Sequence, residues 1–189
     1  MERLARIRFL GHARLVVAAA ASLAAAVAGA KVLLTPEEAL KLAFPGATIE
    51  RKTAYLTEAQ QKAAQKLSGD EELPSALVPY WVGSNDGHLV GTAYTDTHTV
   101  RTMPETIMVV VDPAGAIARI EVLAFSEPEE YLPKAHWYEQ FQGKPLDDEL
   151  SMKRGIRAVT GATLTARATT DAARRVLALH KVLQGAAKP

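Results

Sequence analysis

Two hairpin signals in the middle of the chain limit the fold more than any other feature of the sequence. The first is the pair Asp86-Gly87 between two stretches of β-forming residues, and the second is the turn sequence at 112–115. The run at 107–111 is continuously apolar, as in a central strand that is buried on both faces. Helical patterns precede and follow these strands. The sequence therefore predicts an α+β fold, with one antiparallel sheet flanked by helices.

Capping residues and spacing predict where the helices and strands lie. Thr35-Pro36 opens a short helix that is expected to end before Pro45, and Thr57 opens a second helix that is expected to end at Ser68-Gly69. A short helix is expected over 134–141 and a long amphipathic helix over about 165–183. Strands are expected at 48–56, 77–82, 88–94, 105–111 and 116–125.

The first 30 residues have the pattern of a targeting segment. Four arginines within the first 14 residues precede an uncharged run at 15–30 that is mostly alanine and valine. Small residues at its end form A-x-A sites, which indicates a signal peptide, and an uncleaved membrane anchor is the alternative. In both cases the rest of the chain is expected outside the cytoplasm. We therefore assign residues 1–34 to a signal peptide or transmembrane anchor in the inner membrane, and 35–189 to one domain on the periplasmic side.

Composition and missing motifs exclude several classes of function. The chain of 189 residues has no cysteine, which excludes disulfides, thiolate metal sites, haem attachment through cysteine and cysteine nucleophiles. Its net charge of +1 comes from the arginines of the first segment, and the remaining domain is slightly acidic, which argues against nucleic acid as a partner. Neither an HExxH zinc motif nor a G-x-S-x-G nucleophile elbow occurs. We therefore assign no metal ligand and no catalytic residue.

The segment at 159–165 carries the strongest chemical signal in the sequence. Three threonine hydroxyls cluster there around Gly161 and Ala162, immediately before the last predicted helix. Backbone amides at the start of a helix favour an anion, and small residues let a phosphate approach the backbone. The alternative is purely structural, with Thr165 as the helix N-cap and Gly161 in a turn.

The sequence Thr160-Gly161-Ala162-Thr163-Leu164-Thr165 resembles the S/T-G-A-T-x-T/S flavinylation motif of the FMN-binding domain family. That family includes domains of the NqrC and RnfG subunits of membrane redox complexes and of NosR-type regulators. The similarity extends upstream over about 78–183. It includes a strand with a central glycine at 89–94, the apolar hairpin at 107–122, the Glu127-Pro128 segment, and the aromatic residues at 137–141. Arg157 departs from the family pattern, which usually has an acidic residue at this position.

The resemblance implies a flavoprotein. FMN would be joined through its phosphate to the hydroxyl of Thr163 by a flavin transferase that uses FAD. The phosphate would be held by the neighbouring motif residues, and two upstream side chains would lie near the isoalloxazine ring or the ribityl chain. These residues are Thr160, Gly161, Ala162, Leu164 and Thr165 for the phosphate, and Glu127 and Tyr131 for the rest of the cofactor.

The function that the resemblance implies is extracytoplasmic electron transfer. The protein would act as a carrier, or as a subunit of a membrane redox complex, rather than as a stand-alone catalyst. A domain that keeps this fold without a cofactor and serves as a binding or scaffold module of a membrane complex is the alternative. Trp137 is expected either beside the flavin ring or in the hydrophobic core.

Overall fold

The fold was determined as a computed structural model, which describes residues 31–69, 73–152 and 154–186. Residues 1–30 of the predicted targeting segment lie outside the described residues. Within the described ranges, no helix is both long enough and apolar enough to cross a membrane.

One six-stranded antiparallel sheet forms the centre of the molecule. Strands β2 to β6 lie side by side in chain order, and the two-residue strand β1 joins the free edge of β6. The sheet thus includes two residues that the predicted boundary at position 34 assigns to the leader. The predicted α+β class and antiparallel sheet are confirmed. The strands are β1 (Lys31–Val32), β2 (Thr48–Tyr55), β3 (Leu77–Asn85), β4 (His88–Thr99), β5 (Pro104–Val111) and β6 (Ile117–Phe125).

Four helices accompany the sheet. Thr35 and Thr57 form capping boxes with Glu38 and Gln60 at the starts of the first two helices, as their sequence signals indicate. The last helix begins at Thr163, two residues before its predicted start. The helices are α1 (Pro36–Ala43), α2 (Glu58–Ser68), α3 (Ala135–Tyr138) and α4 (Thr163–Ala186).

The central strand β5 separates two layers of core. Ile107, Val109 and Val111 belong to the larger hydrophobic cluster, to which α2 and α4 contribute, whereas Met108 and Val110 belong to a smaller cluster with α1. Successive side chains of a strand point to opposite faces, so this division places α4 and α1 on opposite faces of the sheet. All five side chains are buried, which confirms the prediction from the apolar run.

Two glycines let the end of α1 approach the sheet closely. A Cβ atom on Gly83 would lie 2.6 Å from the ring of Phe44, and one on Gly91 would lie 2.8 Å from the carbonyl oxygen of Val111. Phe44 is buried and follows the last residue of α1. The central glycine of β4 therefore serves packing rather than a ligand.

Three connections meet at one end of the sheet. They are the turn at 100–103 between β4 and β5, the segment at 126–134 after β6, and the start of α4. Hydrogen bonds join the first connection to the second and the second to the third. Side chains distant in the sequence therefore come together at this end.

Candidate functional site

Residues 160–165 form a turn and the first residues of α4. Gly161 has a φ of 85°, a left-handed conformation that glycine adopts without strain from a Cβ atom. The first intrahelical hydrogen bond runs from the N–H of Ala166 to the carbonyl of Ala162. The N–H groups at 163–165 therefore have no carbonyl within the helix to bond, and they form the anion-favouring end that the sequence predicts.

Thr163 is the first residue of α4, and its side chain is exposed. Its hydroxyl donates to the carbonyl oxygen of Val159 at 3.2 Å, which orients the oxygen and leaves its lone pairs available. Among the neighbouring residues of the motif, Thr160, Gly161 and Leu164 are exposed and Ala162 is buried.

Thr165 has a different role from its neighbours. It is fully buried, and its hydroxyl donates to the carbonyl oxygen of Tyr131 at 2.6 Å. Because α4 begins at Thr163, the alternative interpretation of Thr165 as the N-cap is wrong. Its side chain joins the helix to the segment after β6, and its N–H is the group that remains for an anion.

A cavity of about 180 Å³ lies where the three connections meet. Arg101, from the turn between β4 and β5, places its guanidinium carbon 4.6 Å from the centre of the Tyr131 ring, which is within cation–π range. The structure thus brings Tyr131 and most of the motif to one cavity, whereas Thr160 and Glu127 do not line it. The lining residues are Arg101, Tyr131, Gly161, Ala162, Thr163, Leu164 and Thr165.

Glu127 acts on the turn next to the cavity. It is buried, and its Oε1 accepts hydrogen bonds from the backbone N–H groups of Thr102 at 2.8 Å and Met103 at 3.0 Å. The bond from Thr102 is the largest of the effects that lower the pKa of this carboxyl below its usual range. Glu127 therefore stays ionised and fixes the turn that carries Arg101.

Trp137 belongs to the core rather than to the cavity. It is buried, its indole N–H donates to the carbonyl of Arg157 at 2.7 Å, and its ring packs edge-on against Tyr138 and Phe141. The side chain of Arg157, at the position where the family usually has an acidic residue, is exposed.

A buried ionic network lies between α4 and the strands β4 and β5, and its residues carry no role in the sequence-based prediction. His98 lies within 2.9 Å of carboxylate oxygens of both Asp96 and Glu105. Arg175 bonds both oxygens of Asp96, at 2.9 and 3.1 Å, and Thr169 donates to Glu105 at 3.2 Å. The network anchors the hairpin whose turn carries Arg101 to the helix that carries the motif. In the described part of the chain, no group of three or more histidine or acidic residues is arranged to hold a metal ion.

The residues around the cavity fit the phosphate end of FMN. The lining includes one cationic side chain, no carboxylate, the start of a helix, and an exposed hydroxyl. Pockets that enclose a whole drug-sized ligand measure roughly 300–1,000 Å³, so a cavity of about 180 Å³ suits a phosphate and part of the attached chain. A flavin ring would extend beyond it.

Comparison with known proteins supports the same group. The model of the FMN-binding domain family matches residues 103–178, which include Glu127, Tyr131 and the whole motif, so the resemblance to that family is confirmed. A curated relative is the RnfG-type component of the Na⁺-translocating ferredoxin:NAD⁺ oxidoreductase complex of Acetobacterium woodii. It is 27% identical over 139 residues, and the match covers 64% of this chain and 64% of the length of that relative. No solved structure matches the chain significantly.

Proposed function

We propose that this chain, which carries an FMN-binding domain, is an extracytoplasmic flavoprotein that transfers electrons through an FMN bound by a phosphoester to Thr163. One observation carries the proposal: within the region that matches the family, the exposed Thr163 hydroxyl stands at the start of α4 beside a cavity without carboxylates. When bound, FMN supplies a centre that accepts and donates electrons. The protein supplies its position and its electrostatic environment.

The first turn of α4 would hold the phosphate. The N–H groups of Thr163, Leu164 and Thr165 are the donors that a helix start provides, and they suit the negative charge of a phosphodiester. Gly161 has open space where a Cβ would lie, so the turn leaves room for the phosphate. The exposed side chain of Leu164 and the ring of Tyr131 offer apolar surface to the part of the flavin beyond the cavity.

The covalent step is expected to require a partner. In the reaction that the family resemblance implies, the Thr163 oxygen replaces AMP on the flavin phosphorus of FAD, and the hydroxyl proton leaves with AMP. The product has the mass of the protein plus FMN minus one water. A covalent bond suits a domain outside the cytoplasm, because a dissociating cofactor would be diluted into the surroundings.

Location and partners form part of the proposal. The arginine-rich start and the uncharged run at 15–30 support export, either as an anchored or as a secreted domain. The relative from Acetobacterium woodii is named as part of a redox complex, which supports a membrane redox complex or another electron carrier as the partner here.

The test is production with and without a flavin transferase, followed by intact-mass measurement after denaturation. The wild-type protein and the Thr163→Ser variant should gain the mass of FMN minus one water and stay yellow, whereas Thr163→Val should do neither. Thr160→Val is the matched control, because that threonine is also exposed but does not line the cavity, and it should still be flavinylated.

Two results would contradict the proposal at different levels. A Thr163→Val protein that keeps flavin after denaturation would show that another residue carries the bond. A wild-type protein that neither acquires flavin covalently nor binds added FMN would indicate a cofactor-free scaffold domain, the alternative that Arg157 favours.

A further inference from the structure

Arg101 is the one charged side chain that lines the cavity, and the family match begins two residues after it. The residue is exposed, and among the ion pairs of the described residues none joins its guanidinium to a carboxylate. The positive charge is therefore not neutralised by a carboxylate partner. It stands at the same cavity as the start of α4, which adds partial positive charge.

The position of Arg101 is fixed by its neighbours on two sides. Glu127 holds the next two residues of the turn through their backbone N–H groups. The guanidinium lies over the ring of Tyr131, and the carbonyl of Tyr131 is in turn held by the buried hydroxyl of Thr165. Such stacking uses the face of the guanidinium plane and leaves its N–H groups, which point outward in that plane, free to donate. A fixed fork of donors beside a helix start is suited to a phosphate.

We propose that Arg101 binds the phosphate of FMN and positions it for attachment to Thr163. This inference rests on the proposed function, because a phosphorus atom bonded to the Thr163 oxygen must lie in the cavity that Arg101 lines. The guanidinium charge then pairs with the single negative charge of the phosphodiester. The small volume of the cavity, about 180 Å³, favours contact with the phosphate over contact with the flavin ring.

A binding experiment that does not depend on the covalent bond tests the proposal. The Thr163→Ala protein is titrated with FMN and, separately, with riboflavin, which has the same ring and chain without the phosphate. Flavin fluorescence gives both dissociation constants. FMN should bind more tightly than riboflavin. Adding Arg101→Gln should weaken FMN binding about tenfold or more while leaving riboflavin binding unchanged, as expected for loss of a charged hydrogen bond.

Arg167→Gln is the matched control for charge. Arg167 is exposed, lies one turn further along α4, and does not line the cavity, so its replacement should leave the ratio of the two affinities unchanged. Arg101→Lys keeps the charge without the planar fork and should retain part of the preference for FMN.

Each other outcome has a definite meaning. If Arg101→Gln weakens FMN and riboflavin equally, or if the parent protein does not prefer FMN, the phosphate role of Arg101 is wrong while flavin binding stands. If the Thr163→Ala protein binds neither compound, the cavity is not a flavin site, and both this inference and the proposed function fail.

The loaded protein gives an independent readout. In flavinylated protein, Arg101→Gln should move the ³¹P resonance of the phosphodiester and leave the visible absorption bands of the ring in place, whereas Arg167→Gln should move neither. A ³¹P resonance that does not change in Arg101→Gln would overturn the proposal.

Discussion

His98 and Glu105 face each other across β4 and β5, with the Nε2 of the imidazole 2.9 Å from the Oε2 of the carboxylate. The other ring nitrogen of His98 has an equally close contact with Asp96. Ionised carboxylates only accept hydrogen bonds, so both ring nitrogens must donate, and His98 is an imidazolium. Burial alone would lower the pKa of His98, but the two carboxylates outweigh it and raise the pKa to about 9.

The stability of the fold should therefore fall on the alkaline side. A raised pKa means that His98 contributes its full stabilisation below its unfolded pKa of 6.5 and loses it as the pH rises through about 9. The difference corresponds to a decrease of about 3 kcal/mol in the free energy of unfolding. Urea unfolding at about pH 6 and about pH 9.5 measures it.

The His98→Gln variant is the control for this pH dependence. It should be less stable than the wild type by about 3–5 kcal/mol at pH 6, because two carboxylates lose their buried cationic partner. Its stability should change little between the two pH values. An equally steep alkaline loss in this variant would assign the effect to another group.

Glu127→Ala should loosen the turn that carries Arg101. Two backbone N–H groups lose their acceptor, and we expect the free energy of unfolding to fall by about 1–3 kcal/mol. Non-covalent FMN binding should weaken as well, because Arg101 is no longer held in place. Chemical denaturation and flavin titration measure the two effects.

Glu130→Ala is the matched control for Glu127. This glutamate is exposed on the same segment, and its removal should change the stability by no more than about 0.5 kcal/mol. Equal effects of the two substitutions would show that the segment responds to its net charge rather than to the hydrogen bonds of Glu127.

Thr165→Val should separate the two kinds of threonine in the motif. The substitution removes the buried hydrogen bond to the carbonyl of Tyr131 and should cost about 1–3 kcal/mol of stability, visible as a lower melting temperature. Thr160→Val, at an exposed position, should be nearly neutral. If both variants melt like the wild type, the contact between Thr165 and Tyr131 contributes nothing.

Gly161→Ala should be destabilising through the backbone alone. A Cβ at this position would meet no atom within 4 Å, but the φ of 85° is unfavourable for alanine by about 1 kcal/mol. Gly185→Ala, inside α4 and equally free of contacts, should be neutral or stabilising, because alanine favours helix. Thermal melting of the two variants should therefore shift in opposite directions, and a shift of Gly161→Ala to higher temperature would contradict the reasoning.

Local signals were enough to predict most of the fold. The capping residues at Thr35 and Thr57 and the hairpin turns determine where elements start, and the alternating burial of β5 follows from its apolar run. The pairing of Lys31–Val32 with β6 was not predictable, because two residues carry no periodic pattern and only the free edge of β6 makes them a strand.

The site was predictable only as far as it is local. Thr163 and its neighbours form a continuous motif, and the family resemblance added Tyr131. Arg101 was missed because its role depends on the turn held by Glu127, a contact over 25 residues that no local pattern indicates. The pair Asp96 and His98 did carry a signal, since residues two apart on a strand share a face, but their partner Arg175 is 79 residues away.

Strand β1 also determines which end of the domain an upstream tether would hold. The chain enters the sheet at Lys31, whose ammonium group pairs with Glu129, two residues before Tyr131. Helix α4 runs from this end for 24 residues, or about 36 Å, to the opposite end. A lipid-embedded leader would therefore keep Thr163 toward the bilayer surface, so that electrons from a neighbouring membrane protein would not have to travel the length of the domain.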